Sequence, residues 1–108
     1  MDGLSAGALR HRVQVQSKRE ERDASGGVVE VWKTLTTRWA AVEPLRGHEL
    51  FTAQAVDARV THRVTMRLIA ELTASQRLVH KGRVFNIVSV LNLYERDIAT
   101  QVMCMEDV

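Results

Sequence analysis

The chain holds one cysteine, Cys104, and one proline, Pro44. A lone thiol cannot close an intrachain disulfide or build a cysteine-rich zinc site. No run of about 18 apolar residues occurs, so no membrane-spanning helix is predicted. Residues 1–7 lack the apolar core of a signal peptide, which predicts a reducing, cytoplasmic compartment. Aromatics are few: Trp32, Trp39, Phe51, Phe85 and Tyr94. Lysine appears only at positions 18, 33 and 81, and the other twelve of the fifteen basic residues are arginine. Neither a Gly-x-Gly-x-x-Gly nor a Walker-type phosphate loop is present. The four histidines (His11, His48, His62 and His80) form no short-spaced metal pair. No catalytic, cofactor or metal site is therefore predicted, and no enzyme.

A net charge of +2 over 108 residues is weak for a nucleic-acid binder. Arginine's planar fork suits carboxylate contacts at protein interfaces better than lysine does. At 45% hydrophobic and 26% charged, the composition is that of a globular domain with a real core. The sequence predicts one domain over 1–108, with a flexible arm at 1–9.

Strand patterns dominate. Arg12–Gln16 alternates polar and apolar residues. The charged run 18–23, ending in Ser25-Gly26-Gly27, reads as a loop. Val28–Lys33 reads as a strand that continues, after a kink, through 36–42 and ends at Pro44. The two tryptophans are expected in the core, with an interface rim as the alternative. Residues 46–58 break the pattern and predict a short helix or an irregular segment. The clearest alternation is 59–68, with Val60, His62, Val64, Met66 and Leu68 on one face and Arg59, Arg63 and Arg67 on the other. Arg77–His80 and Arg83–Leu91 flank Lys81-Gly82, a tight-hairpin signal. A turn over 92–97 leads to a last strand, 98–105, with Ile98, Thr100, Val102 and Cys104 on one side. Six or seven strands predict an all-β fold, a small antiparallel barrel or sandwich, with a meander at the C-terminal end. Cys104 reads as a buried, inert thiol and His62 as a hydrogen-bonded core histidine. Glu43 and Glu49 read as solvated or salt-bridged groups at an interface. The arginine face is either plain solvated strand or a stripe that meets acidic groups or phosphates.

The motifs, taken in order, resemble a known family. They are Gly7-Ala8-Leu9-Arg10-His11-Arg12-Val13-Gln14-Val15-Gln16, Asp23-x-x-Gly26-Gly27, Trp32 with Trp39-Ala40, and Val42-Glu43-Pro44-Leu45-Arg46-Gly47-His48-Glu49. Thr61-His62-Arg63-Val64-Thr65-Met66-Arg67 and Gly82-Arg83-Val84-Phe85-Asn86-Ile87 complete the set. Over about residues 7–106 they resemble the head–tail joining (head closure, or head–tail adaptor) proteins of long-tailed double-stranded DNA bacteriophages and prophages. The resemblance implies a small barrel that is monomeric in isolation and assembles as a ring, usually of twelve copies, in the virion neck. Its implied partners are the portal or adaptor protein, a tail-completion or tail-tube protein, and the packaged DNA in the channel; a membrane is not among them. Assembly in the host bacterial cytoplasm is implied too. On this reading segment 45–59 reaches the channel or adaptor, Gly47 permits a turn, and Glu49 pairs with an arginine of another subunit. The predicted interface residues are Arg46, Gly47, His48, Glu49, Leu50, Phe51, Arg59, Arg63 and Arg67. A tail-completion role one ring further down and a nucleic-acid-binding barrel of the OB type are the competing readings.

Overall fold

A computed structural model describes residues 9–67, 72–92 and 99–107. Six strands, β1 (His11–Arg22), β2 (Val28–Pro44), β3 (His62–Arg67), β4 (Arg77–His80), β5 (Arg83–Asn92) and β6 (Ala99–Asp107), accompany one helix, α1 (Gly47–Val56). All strand pairs are antiparallel, and the sheet closes into a barrel in the order β1-β2-β3-β6-β5-β4. The all-β barrel matches the sequence expectation, and β4, β5 and β6 do form a meander. However, β3 pairs with β6, and β4 returns to β1, so the chain crosses over between β3 and β4. Alternation within strands carries no information about which strands become neighbours.

Inward-facing side chains of all six strands make the core: Val13, Val15, Ala40, Val64, Met66, Leu78, Phe85, Ile87, Val102 and Cys104, with Leu72. The apolar face read from the sequence at 60, 62, 64 and 66 is buried. On β6, Thr100, Val102 and Cys104 are buried as expected. Ile98, Leu68 and most of the 92–97 turn lie outside the described residues. So does the arm at 1–9 apart from Leu9, which is buried rather than free. Lys81 (φ 52) and Gly82 (φ 76) both occupy the left-handed region. This is the mirror-image turn whose twist suits a two-residue hairpin.

The charged run is strand over 18–22, where a loop was expected, and only Asp23 belongs to the turn. β1 pairs continuously with β2 from His11↔Ala40 to Arg22↔Val28, broken only by a bulge that leaves Leu35 unpaired where a kink was expected. The half of this hairpin beyond the barrel is an arm solvated on both faces, so no apolar alternation marks it. Its pairs are exposed: Lys18–Glu30 at 3.2 Å and Lys33–Glu21 at 2.9 Å. Each contributes about 0.2–1 kcal/mol at most. A free two-stranded hairpin is marginal in water, so the arm depends on continuity with the barrel. At its tip Asp23 Oδ1 accepts hydrogen bonds from the amides of Ser25 (2.9 Å) and Gly27 (2.7 Å). Gly26 sits at φ +83, which strongly favours glycine. The molecule measures 54 × 28 × 25 Å.

The tryptophans are not core. Trp39 is 52% exposed under the Arg12 guanidinium, 4.9 Å from the ring centre. Trp32 lies between Arg77 (4.2 Å) and Lys18 (5.3 Å). Their positions on β2 face outward, where cations cover part of the indole surface.

One end of the barrel is closed by a polar cluster. His62 is buried, edge-on to Phe85 at 5.0 Å. Its Nδ1 is 2.9 Å from Thr61 Oγ1, and its Nε2 is 3.4 Å from Arg83 Nη2. Arg83 forks onto Glu106 at 2.8 and 3.0 Å. Burial pushes the His62 pKa down; nearby Glu106 opposes this and Arg83 adds to it. Arg83 can donate only to an unprotonated ring nitrogen, so the neutral imidazole fits this setting.

Two measurements follow. Phe85→Ala is expected to cost about 3–5 kcal/mol in urea unfolding, whereas exposed Phe51→Ala changes stability by about 0.5 kcal/mol or less. Because the His62 pKa is lowered in the fold, the unfolded chain binds the extra proton as pH falls below about 6.5. The melting temperature is expected to drop between pH 7.5 and 5.5. In His62→Gln that slope shrinks but persists in part, because His11 is shifted in the same direction.

Candidate functional site

Helix α1 stands outside the barrel. It starts after Leu45, whose amide donates to the Thr61 carbonyl at 3.0 Å. Proline at 44 ends strand pairing, and Gly47 at φ +53 turns the chain into the helix. Arg46 is the N-cap in extended conformation without a side-chain cap bond. None of the helix residues is buried. Leu50 and Ala53 are half-buried, while Phe51 is 73% and Val56 90% exposed. His48 Nε2 lies 3.4 Å from Thr52 Oγ1. The segment left open between helix and irregular loop is thus a helix, with too little buried surface to hold it by packing alone.

One surface ion pair and one hydrogen bond tether it to the barrel. Arg63 of β3 reaches Glu49 of α1 at 2.8 Å and Glu43 of β2 at 3.6 Å. Both glutamates do meet a cation, and in each case it is an arginine of their own chain. Behind the helix Gln54 Nε2 donates to the Val60 carbonyl at 3.0 Å.

Arg63 and Arg67 share the outward face of β3 as expected, but Arg59 does not join them. Arg59 precedes β3, in the turn after α1, and forks onto Asp57 at 3.0 and 2.8 Å. The arginine holds the Asp57 carboxyl at about 2, well below the usual range. A local Asp-x-Arg pair competes with strand alternation here, so the strand starts three residues later than its pattern suggests. Arg63 is occupied by the two glutamates, and Arg67 lies at the other end of β3, beside Trp39. Sequence reasoning missed Arg12, Arg38 and Trp39 as a group with Arg67. The signal was present in the exposed parity of Trp39 against buried Ala40, but the indole's size favoured a core assignment.

Cys104 is buried, and burial pushes its thiol up to about 12. Its Sγ lies 3.6 Å from the His62 carbonyl. Such a thiol is a poor nucleophile at neutral pH. Among the described residues no three His, Cys, Asp or Glu side chains gather as a metal site, and no helix is long and apolar enough to cross a membrane. What the described surface offers is an external helix, a protruding hairpin arm and an arginine-flanked indole.

The sequence profile of the phage head completion protein family matches residues 4–107. Head completion protein gp7 of Enterobacteria phage HK97 is 37% identical over 90 residues, covering 79% of this chain and 80% of its own. The solution structure of protein SF1141 from Shigella flexneri 2a superposes with a TM-score of 0.78 at 26% identity, over 97% of this chain and 98% of that one. A chain in the virion of a native gene transfer agent particle shares the fold, with a TM-score of 0.60 at 17% identity over 93% and 96% of the two chains. Profile, sequence relative and fold converge: the chain belongs to the phage head completion protein family.

Proposed function

We propose that this protein is a structural connector of the phage neck. The carrying observation is the family match across residues 4–107. On this reading the chain is one head-completion domain without catalysis. Copies made in the host cytoplasm assemble as a ring, of twelve in the virion, below the portal or adaptor. The ring closes the DNA-filled head and offers a docking surface to the tail. The shape of the chain supports this. Among the described residues, β2 pairs with β3 only over Ala40–Pro44, and β1 pairs with β4 only over Gln14–Gln16. Both edges of the arm beyond these points are open to a neighbouring chain. Val28, Val29 and Leu35 on the arm, like Phe51 and Val56 on α1, are exposed apolar groups that an assembly would cover. Subunits of a ring meet through heterologous contacts, one surface of each against a different surface of the next. Segment 45–59 is assigned to such contacts, including Arg46, Gly47, His48, Glu49, Leu50, Phe51 and Arg59, with Arg63 bracing the helix from β3.

Electron microscopy of heads made with and without the protein tests the reading. Heads lacking it are expected to lose DNA and stay tailless. Heads that keep their DNA but lack tails would move the protein to the tail side of the neck, and normal tailed particles would refute a connector role. Phe51→Asp and Glu49→Ala are each expected to reduce assembly onto heads while leaving the melting temperature within about 2 °C, since both side chains are exposed and the Glu49 pair is a surface one. An equal loss of stability would assign α1 to the fold instead.

A further inference from the structure

An open cleft of about 200 Å³ lies beside Trp39 on the outside of the barrel, lined by Leu9, Arg12, Thr37, Arg38, Trp39 and Arg67. Register explains part of the grouping; Arg38, which pairs with buried Val13, has the opposite parity to Trp39 and borders the cleft. Arg12 pairs directly with Trp39 across β1 and β2. Ala40 pairs with Met66 across β2 and β3, so the next residues along, Trp39 and Arg67, are neighbours too. The indole remains half exposed although a guanidinium covers part of it. Leu9 is buried at the cleft.

The charges around this indole are unbalanced. Arg59, Arg63 and Arg83 each hold a carboxylate of their own chain. Among the described residues Arg12, Arg38 and Arg67 have no carboxylate within ion-pair distance. An apolar centre of tryptophan and leucine ringed by arginine forks has the composition of a protein-binding hot spot.

The occupant must bring negative charge. Among the described residues a second copy has little to bring: the carboxylates of Glu21, Glu30, Glu43, Glu49, Asp57 and Glu106 are already paired with cations. Asp23 is spent on its own turn. Among the described residues that leaves Glu20 and Asp107, on different strands. A nucleic acid is disfavoured by the low net charge and by a single indole where stacked bases would want several. At this row β2 is paired with β1 through Arg12↔Trp39, and the groups that line the cleft are side chains of the outer face, so recognition there runs through side chains. We propose that the Arg12–Trp39–Arg67 cleft, with Arg38, docks an acidic surface of a different virion protein, carboxylates on the arginines and an apolar side chain against Trp39 and Leu9. This rests on the head-completion reading and deepens it.

The test uses heads assembled without this protein, to which purified full-length chain is added, and counts completed, tailed particles. Wild type is expected to complete them. Arg38→Glu/Arg67→Glu is expected to lower the count about tenfold or more with an unchanged melting temperature, and Arg38→Lys/Arg67→Lys to keep most of it. If the glutamate variant completes heads as well as wild type does, the cleft assignment is overturned and the family role stands. If wild type itself completes none, the head-completion reading fails and the proposal with it. A Trp32→Phe variant, with Trp39 as its sole tryptophan, identifies the class of ligand. Its emission is expected to respond to poly-L-glutamate, and the response to vanish with the added glutamate pair. A response only to a 20-nucleotide oligothymidylate, or only to rising protein concentration, overturns the proposal in favour of nucleic acid or a second copy.

Discussion

Everything in this molecule depends on one short seam. The barrel closes where Gln14, Val15 and Gln16 of β1 pair with Val79, Leu78 and Arg77 of β4. Without it the sheet would be open, with the buried sides of Val13, Val15 and Leu78 exposed to water. Side chains reinforce the three pairs. Arg77 Nε donates to Gln16 Oε1 at 2.8 Å and its guanidinium lies over Trp32. His80 Nδ1 meets the Arg12 carbonyl at 2.9 Å, giving that carbonyl a partner beyond the paired strands. The same closure pairs most of the barrel's edges and leaves the arm with open ones.

Much of this fold is legible in the sequence where a strand has one wet and one dry face. β3 reads at a glance because Val64 and Met66 alternate with arginine and threonine, and the hairpin of β4 and β5 is marked by Lys81-Gly82. The arm is illegible by the same logic. With water on both faces, residues 18–22 carry no apolar period, and a charged run looks like a loop. The crossover from β3 to β4 is set by which edges remain free once the hairpins have formed, and no local pattern encodes that. Arg59 shows a third kind of failure, a side-chain fork onto Asp57 that holds a turn where alternation predicts strand.

The surface was harder to read than the core for a physical reason. Burial leaves a periodic mark on sequence, whereas an interface awaiting its partner looks like solvent-facing residues. The arginines at 59, 63 and 67 have one spacing and three fates: one tied to a neighbouring aspartate, one bracing the external helix, one beside an exposed indole. Spacing placed them on a strand pattern, and only the positions of the carboxylates tell them apart. Family motifs carried information that periodicity could not. The Asp23-x-x-Gly26-Gly27 signature marks a turn whose carboxylate and glycines each have a definite geometric task.

The seam also sets the order in which the chain can mature. β1 and β2 are adjacent in sequence and can zip as soon as both leave the ribosome. β1 must then wait some sixty residues for β4, and β3 must wait for β6, the last strand made. Long-range pairings of this kind form slowly, because loop entropy is lost before contacts reward it. During synthesis the nascent hairpin is an unpartnered ribbon, half of it destined for the core. The charged outer half, with lysines 18 and 33 among its glutamates, keeps that ribbon soluble and discourages pairing with other nascent chains.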